Sequence, residues 1–304
     1  MYQVPDQTGR RVIVTGANSG TGKESAKRLA AAGASVIMAV RSPDKGETAR
    51  AEIEASVTGA RLEVRRVDLA DLASVREFAE GILSDGEPLH TLVNNAGVMA
   101  PPERLETTDG FELQFGSNFL GPFLLTSLLI PALVESGAGR IATMSSGVAN
   151  WGSIHFADLQ WRLHYNPWAA YAQSKLADML MGMHIARIAT AKRWPLTSTI
   201  AHPGYTRTNL QTAGANLVRR PEDARQPATH TLLPSQSAEQ GAEPLLFATA
   251  APGVEQGAYY GPQGGLTGPT KRVTLPRSAR RGPDYAASLW AVARQLTQSP
   301  AIMR

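Results

Sequence analysis

Arg11-Val12-Ile13-Val14-Thr15 runs directly into Gly16-Ala17-Asn18-Ser19-Gly20-Thr21-Gly22, and a helical pattern follows to Ala32, closed by Gly33. The first five residues read as a buried strand, and Gly22–Ala32 as the helix it feeds. Glycines between a first strand and a first helix let the backbone turn sharply and approach an anion such as a pyrophosphate. The helix start adds unpaired amides and the positive end of its dipole. Gly22-Lys23 imitates the end of a P-loop, but that loop needs Gly at 17 and Ser or Thr at 24, where this chain has Ala17 and Glu24. A nucleoside triphosphatase is excluded.

Outward from this turn, apolar runs alternate with amphipathic stretches. Strands are expected at Ser35–Val40, Arg61–Val67, Thr91–Val93, Arg140–Met144 and Leu196–Ala201. Between them lie helical patterns at Asp44–Ala55, Leu72–Leu83, Phe111–Val134 and Trp168–Lys192, the third kinked or divided at Pro122 and Pro131. Strands separated by helices imply right-handed crossovers and a parallel sheet, and solid apolar strands such as VIMAV fit a sheet covered on both faces. After Tyr205 the chain turns polar. A helix near Glu243–Ala250, a strand near Tyr259, a Gly-, Pro- and Arg-rich stretch at Gly261–Pro283 and a terminal helix at Tyr285–Leu296 are expected. No linker divides two cores, so residues 1–304 read as one domain.

Thirty Lys and Arg against 26 Asp and Glu leave a net charge of +4, which permits anionic ligands without pointing to nucleic acid. Lys271, Arg272, Arg277, Arg280 and Arg281 lack the interleaved aromatics of a single-strand binder. Cysteine is absent, which removes disulfides, thiolate metal sites and a Cys nucleophile. His155, His164 and Asp158 share one loop without tight ligand spacing, and no metal is expected. No apolar run reaches the roughly 18 residues of a membrane-spanning helix; the richest, Phe119–Val134, is broken by Gly121, Pro122, Thr126, Ser127 and Pro131. The N-terminal MYQVPDQTGR has no apolar signal core, so a cytoplasmic protein is expected.

The spacing Gly16-x-x-x-Gly20-x-Gly22 is similar to that of the short-chain dehydrogenase/reductase family, and five further signals occur in the family's order. These are Asn94-Asn95-Ala96-Gly97 after the fourth strand, Asn118 on the next helix, Ser145-Ser146 ending the fifth strand, Tyr171-Ala-Gln-Ser-Lys175, and Pro203-Gly204 ending the sixth strand. The resemblance covers about residues 8–210. It implies one α/β, doubly wound Rossmann-type domain with a seven-stranded parallel sheet of order 3-2-1-4-5-6-7. Residues 8–205 would form the cofactor-binding and catalytic core, 206–240 a substrate lid, and 241–304 a C-terminal substrate and edge region.

Tyr171 and Lys175 share one face of their helix. The ammonium is expected to lower the phenol's pKa from its usual value of about 10, so that Tyr171 can exchange a proton with a carbonyl or hydroxyl oxygen. The resemblance further implies that Lys175 bonds the nicotinamide ribose, that Ser146 orients the substrate oxygen, and that Asn118 serves a proton relay. An oxidoreductase acting on a small-molecule carbonyl or alcohol is expected. The other reading is a cofactor-sensing regulator without turnover, although such proteins usually lose the Tyr or Lys that this chain keeps.

The nicotinamide cofactor would be held by Gly16, Asn18, Ser19, Gly20, Thr21 and Gly22, and by Asp68, Leu69, Asn95, Ala96, Gly97, Tyr171, Lys175, Pro203, Gly204, Thr206 and Thr208. The end of the second strand carries Val40 and then Arg41 instead of an acid. Arg41 suits a 2′-phosphate, so NADP(H) is expected over NAD(H). Thr21 stands where the family usually has an apolar residue. Ser146 and Tyr171 are separated by a long segment, Gly147–Ala170, holding Trp151, Phe156, Trp161, Tyr165 and Trp168. That segment resembles the retinol dehydrogenase and protochlorophyllide reductase branch and its bacterial relatives. Its rings either line a site for a bulky apolar or aromatic substrate or pack the segment onto the fold. The resemblance also implies a homodimer or homotetramer formed through the Trp168–Lys192 helix and its predecessor.

Overall fold

The computed structural model describes residues 1–208, 210, 214, 216–217 and 234–301. β1 (Arg11–Thr15) lies between β2 (Ser35–Val40) and β4 (Thr91–Asn94), parallel to both, with Val12 opposite Val36 on one side and Thr91 on the other. β3 (Arg61–Arg66) flanks β2, and β5 (Gly139–Met144), β6 (Leu196–Ala201) and β7 (Tyr259–Pro262) continue beyond β4. These seven strands are parallel in the expected order 3-2-1-4-5-6-7. The order reverses between β1 and β4, and such a reversal opens a crevice at the carboxyl ends of the strands.

An eighth strand, β8 (Thr270–Val273), was not expected. It runs antiparallel to β7, with Tyr259 opposite Val273. Its sequence, Thr-Lys-Arg-Val, is short, charged and half exposed. Nothing local marks it as a strand; the hairpin with β7 supplies its partner. Lys271 and Arg272 suit an outer strand, where charge discourages pairing with another chain.

Alternate residues of each central strand serve two different cores. Val12, Val14, Val36 and Met38 pack against α1 (Gly20–Ala31), α2 (Pro43–Glu54) and α6 (Ala238–Ala250). Ile13, Ile37, Leu92 and Ile141 pack against α3 (Leu72–Ser84), α4 (Gly121–Glu135), α5 (Pro167–Lys192) and α7 (Pro283–Thr297). Side chains cap three of these helices. Asp71 accepts from the amides of Ala73 and Ser74 at the head of α3, Asn166 from Trp168 and Ala169 at the head of α5, and Ser237 forms a capping box with Gln240 on α6.

The stretch expected as one helix over Phe111–Val134 divides into a π-helical turn, Phe115–Leu120, followed by α4. Pro122 has no N–H to give the carbonyl of Asn118 four residues earlier, and the widened turn occurs there. By length and composition Phe115–Glu135 could cross a membrane, but it is a core helix with 72% of its apolar window buried in protein. α7 packs on α4 and α5: the Trp290 ring meets Phe123 edge-on at 4.6 Å and stacks on His184 at 5.0 Å. The helix pair expected to meet a second copy of the chain is thus partly covered by the chain's own terminal helix.

Candidate active site

At the end of β1 the Thr15 hydroxyl accepts from the amides of Asn95 and Ala96, at 2.9 and 3.0 Å. The Asn95 side-chain amide donates to the Thr15 carbonyl at 2.9 Å, and its oxygen accepts from the Thr21 hydroxyl, also at 2.9 Å. Thr21 therefore ties the head of α1 to the loop after β4, a bond that an apolar residue could not make. Gly16 holds φ at +68°, a region that favours glycine. A Cβ on Gly22 would lie 2.3 Å from the Gly16 carbonyl oxygen, so no side chain fits there.

These contacts shape a cleft of 340 Å³ at the reversal point of the sheet. Of the expected cofactor residues, Gly16, Asn18, Ser19, Gly20, Thr21, Arg41, Asp68, Leu69, Asn95, Ala96, Gly97 and Thr208 line it. Gly22 packs beneath, against the Gly16 carbonyl. Pro203, Gly204 and Thr206 stand apart from the cleft wall. The Pro203 carbonyl accepts from the Thr206 hydroxyl at 2.7 Å and from the Gln236 side chain at 2.5 Å, pinning together the two ends of the expected lid. Most of that lid, residues 209, 211–213, 215 and 218–233, lies outside the described residues.

Several cleft residues escaped the sequence reading, Ser42 and Lys45 among them. Ser42 and Lys45 stand beside Arg41. The available signal was Lys45 in the first turn of α2, four residues after Arg41. Neither Arg41 nor Lys45 has an acidic partner among the described residues. Ser19 and Ser42, at the heads of α1 and α2, make no capping bond with their side chains. The cleft therefore offers glycine-backed space, uncapped helix amides and two unpaired cations, a set that fits a phosphorylated dinucleotide.

Gly97 links the cleft to a second centre. A Cβ there would lie 3.3 Å from Asn118 Oδ1 and 3.6 Å from Lys175 Nζ. Asn118 Oδ1 accepts from the Val98 amide at 2.7 Å, and its Nδ2 donates to the Val98 carbonyl and the Ser174 hydroxyl, both at 2.9 Å. The two serines at the end of β5 also separate in role. Ser145 is buried and donates to the Lys175 carbonyl at 2.7 Å. Ser146 stands near the Tyr171 hydroxyl and favours its ionised form.

Lys175 Nζ donates to the Met144 carbonyl at 3.1 Å and to Asp178 Oδ2 at 2.8 Å, and both side chains of this ion pair are almost wholly buried. Burial works against the Lys175 ammonium, but the charges of Asp178 and Tyr171 outweigh it and raise the lysine's pKa above its ordinary value. The expected pull of Lys175 on Tyr171 is present but does not set the net direction. Burial pushes the Tyr171 hydroxyl above the usual range, and Lys175 and Ser146 offset only part of this, with Asp178 adding to the rise. Local spacing conveys the lysine's attraction but not the loss of water.

The aromatic segment divides between packing and exposure. Trp161 is buried and meets the His155 ring at 4.8 Å, while Tyr165 donates to the Pro101 carbonyl at 3.1 Å. Trp151 and Trp168 are 83% and 57% exposed, and the Trp168 ring stands edge-on to Tyr171 at 6.3 Å. Asp158 caps its own loop by accepting from the Arg162 and Leu163 amides. In the C-terminal region Arg272 pairs with Glu255, and Arg281 lies over the Tyr285 ring.

Comparison with known proteins follows the same lines. The family described as short chain dehydrogenase matches residues 10–216. Polyprenol dehydrogenase of Mus musculus is 41% identical over 300 residues, 97% of this chain and 85% of its own length. Human retinol dehydrogenase 11 is 45% identical over 202 residues, 66% of this chain and 63% of its own. A crystal structure of an uncharacterised protein from Mycobacterium paratuberculosis superposes with a TM-score of 0.80 at 40% identity, covering 98% of this chain and 97% of that one.

Proposed function

The chain belongs to the short-chain dehydrogenase/reductase family of oxidoreductases, and from that premise we propose an NADP(H)-dependent enzyme that interconverts the carbonyl and alcohol forms of a bulky apolar substrate. The observation that carries the reading is the Ser146–Tyr171–Lys175 set, with Tyr171 and Lys175 buried and Ser146 half-buried, beside a cleft shaped for a dinucleotide. Arg41 and Lys45 would hold a 2′-phosphate, and the uncapped head of α1 would hold the pyrophosphate. When bound, the nicotinamide supplies or accepts the hydride.

The residues of the chain handle the proton. Tyr171 donates its hydroxyl proton to the substrate oxygen during reduction and takes one back during oxidation. Ser146, close to that hydroxyl, donates to the same substrate oxygen and fixes its position. The Lys175 ammonium has three N–H donors. Two serve Met144 and Asp178, leaving one for the cofactor ribose. The Asn118 carbonyl, without an N–H from Pro122, is the acceptor that would connect Lys175 with solvent during proton exchange.

The substrate class rests on the exposed Trp168 ring beside Tyr171 and on the relatives named for polyprenol and retinol. The test is NADPH-driven reduction of retinal and of a polyprenal by wild type and by Tyr171→Phe. Turnover should fall about 10²- to 10⁴-fold in the variant, with NADPH binding retained. A Tyr171→Phe protein that turns over at the wild-type rate would refute the assignment.

A further inference from the structure

One group in the centre has no place in the proton chemistry above. Asp178 sits one helical turn after Lys175 on α5, is 2% exposed, and places Oδ2 at 2.8 Å from Lys175 Nζ. Its other oxygen, Oδ1, is buried and has no hydrogen-bond partner among the described residues. An acid in an otherwise apolar stretch of helix is poor economy for stability: a buried ion pair rarely outperforms apolar packing, and an unpartnered buried oxygen carries its full desolvation cost. Such a group beside a candidate reacting side chain points to tuning of that side chain.

The surroundings are simple enough to assign the direction. Among the described residues, Lys175 is the only charged group acting on the Asp178 carboxyl, and Lys175 and Asp178 are the only two acting on Tyr171. β5 brings the Met144 carbonyl and the Ser146 hydroxyl, and the π-helical turn brings Asn118. β6 and the turn Gly147–Trp151 carry no ionisable side chain. Arg140 faces away at the start of β5, bonded to the Thr249 and Ala251 carbonyls. Arg277, Asp284 and Arg294, on the elements packed over α5, do not act on either group.

We propose that Asp178 is a positioning residue of the active site, which anchors the Lys175 ammonium and, through its charge, keeps Tyr171 in the protonated, proton-donating form. The proposal rests on Tyr171 being the acid–base group. Burial pushes the Asp178 carboxyl up to about 7, against the pull of Lys175. As pH rises, Asp178 therefore ionises before Tyr171. Its negative charge then cancels part of the ammonium's attraction for a phenolate and delays loss of the tyrosine proton.

The experiment follows the phenolate absorbance of Tyr171 with pH in the cofactor-free protein, as the difference between each protein and its Tyr171→Phe counterpart. Asp178→Asn keeps an oxygen for Lys175 and removes the charge. Its phenolate midpoint should fall by about one pH unit, and the pH at which reduction is lost should fall with it. Asp178→Glu keeps the charge and should keep the wild-type midpoint. A merely structural acid would lower the melting temperature or scale the rate at every pH without moving either midpoint. An unmoved or raised midpoint in Asp178→Asn overturns the proposal, as does a lowered midpoint in Asp178→Glu. Should Asp178→Asn not fold, Asp178→Ser is the second neutral variant, with the same expectation. A Tyr171→Phe protein of wild-type activity removes the acid–base reading; an inactive one with an unmoved Asp178→Asn midpoint removes only the role of Asp178.

Discussion

The cofactor cleft and the Lys175 centre meet at Gly97, and they satisfy their polar groups in opposite ways. In the cleft, Arg41 and Lys45 lack acidic partners among the described residues, and Ser19 and Ser42 leave their helix starts without side-chain caps. Around Lys175 almost every polar atom is spent: Asn118 on Val98 and Ser174, Ser145 on the Lys175 carbonyl, Lys175 on Met144 and Asp178. The open region waits for charge from outside, where water tolerates unpaired groups. The closed region is dry, and there an unpaired group is costly, with Asp178 Oδ1 the exception. The first region leaves its charges unanswered within the described residues, and the second fixes its side chains against one another.

If the centre is closed in this sense, removing one member should cost more than removing one cation from the cleft. Lys175→Met is the severest case. Turnover should fall by about 10³-fold or more, and Asp178 is left buried without a partner, at a cost of about 3–5 kcal/mol when ionised. The pH dependence has a definite sign. The Asp178 pKa is already raised to about 7 in the folded protein, against about 3.9 unfolded. Its contribution to stability is full below the unfolded value and is lost as pH rises through the folded one. Without Lys175 the folded value rises further, so the variant should lose more stability at pH 8 than at pH 5. Denaturant melts at the two pH values check this, and equal losses would break the contrast.

Ser146→Ala comes next, with an expected loss of about 10²-fold in kcat/KM for carbonyl reduction, since one donor to the substrate oxygen disappears, and little change in melting temperature. Arg41→Ala tests the open region: NADPH should bind about tenfold more weakly, because an exposed cation is partly screened, while NADH binding stays within about twofold. Equal weakening of both cofactors in a fluorescence titration would deny Arg41 its phosphate. Ser145→Ala is the smallest effect, about 1 kcal/mol of stability, with a smaller loss of turnover than Ser146→Ala. The reverse ranking of the two serines would exchange their roles.

The legible part of the molecule is the part written in contiguous residues. β1 and the glycine-rich turn were readable because the geometry they impose is local: a solid apolar run, a positive φ at Gly16, and the close approach at Gly22. The Tyr171–Lys175 pair was readable because helical spacing alone puts both on one face. What escaped was whatever depends on a partner from elsewhere. β8 is a strand only because β7 lies beside it, and Gln236 reaches Pro203 only because the chain returns there. Lys45 and Asp178 carried weak local signals, four residues from Arg41 and three from Lys175, whose meaning comes from the cleft and the buried centre.

By itself the sequence determined the alternation of strands and helices, the glycine-rich turn and the shared face of Tyr171 and Lys175, because backbone sterics and side-chain periodicity act between near neighbours; the order of the strands and the choice of Ser146 came from the resemblance to a known family. Only the tertiary structure decided that Tyr171 titrates above rather than below its ordinary range, that Ser145 serves the fold while Ser146 meets the tyrosine, and that α7 lies across the α4–α5 pair. Each of these depends on which distant elements remove water from a group, and dehydration is a property of the assembled core that no local pattern encodes.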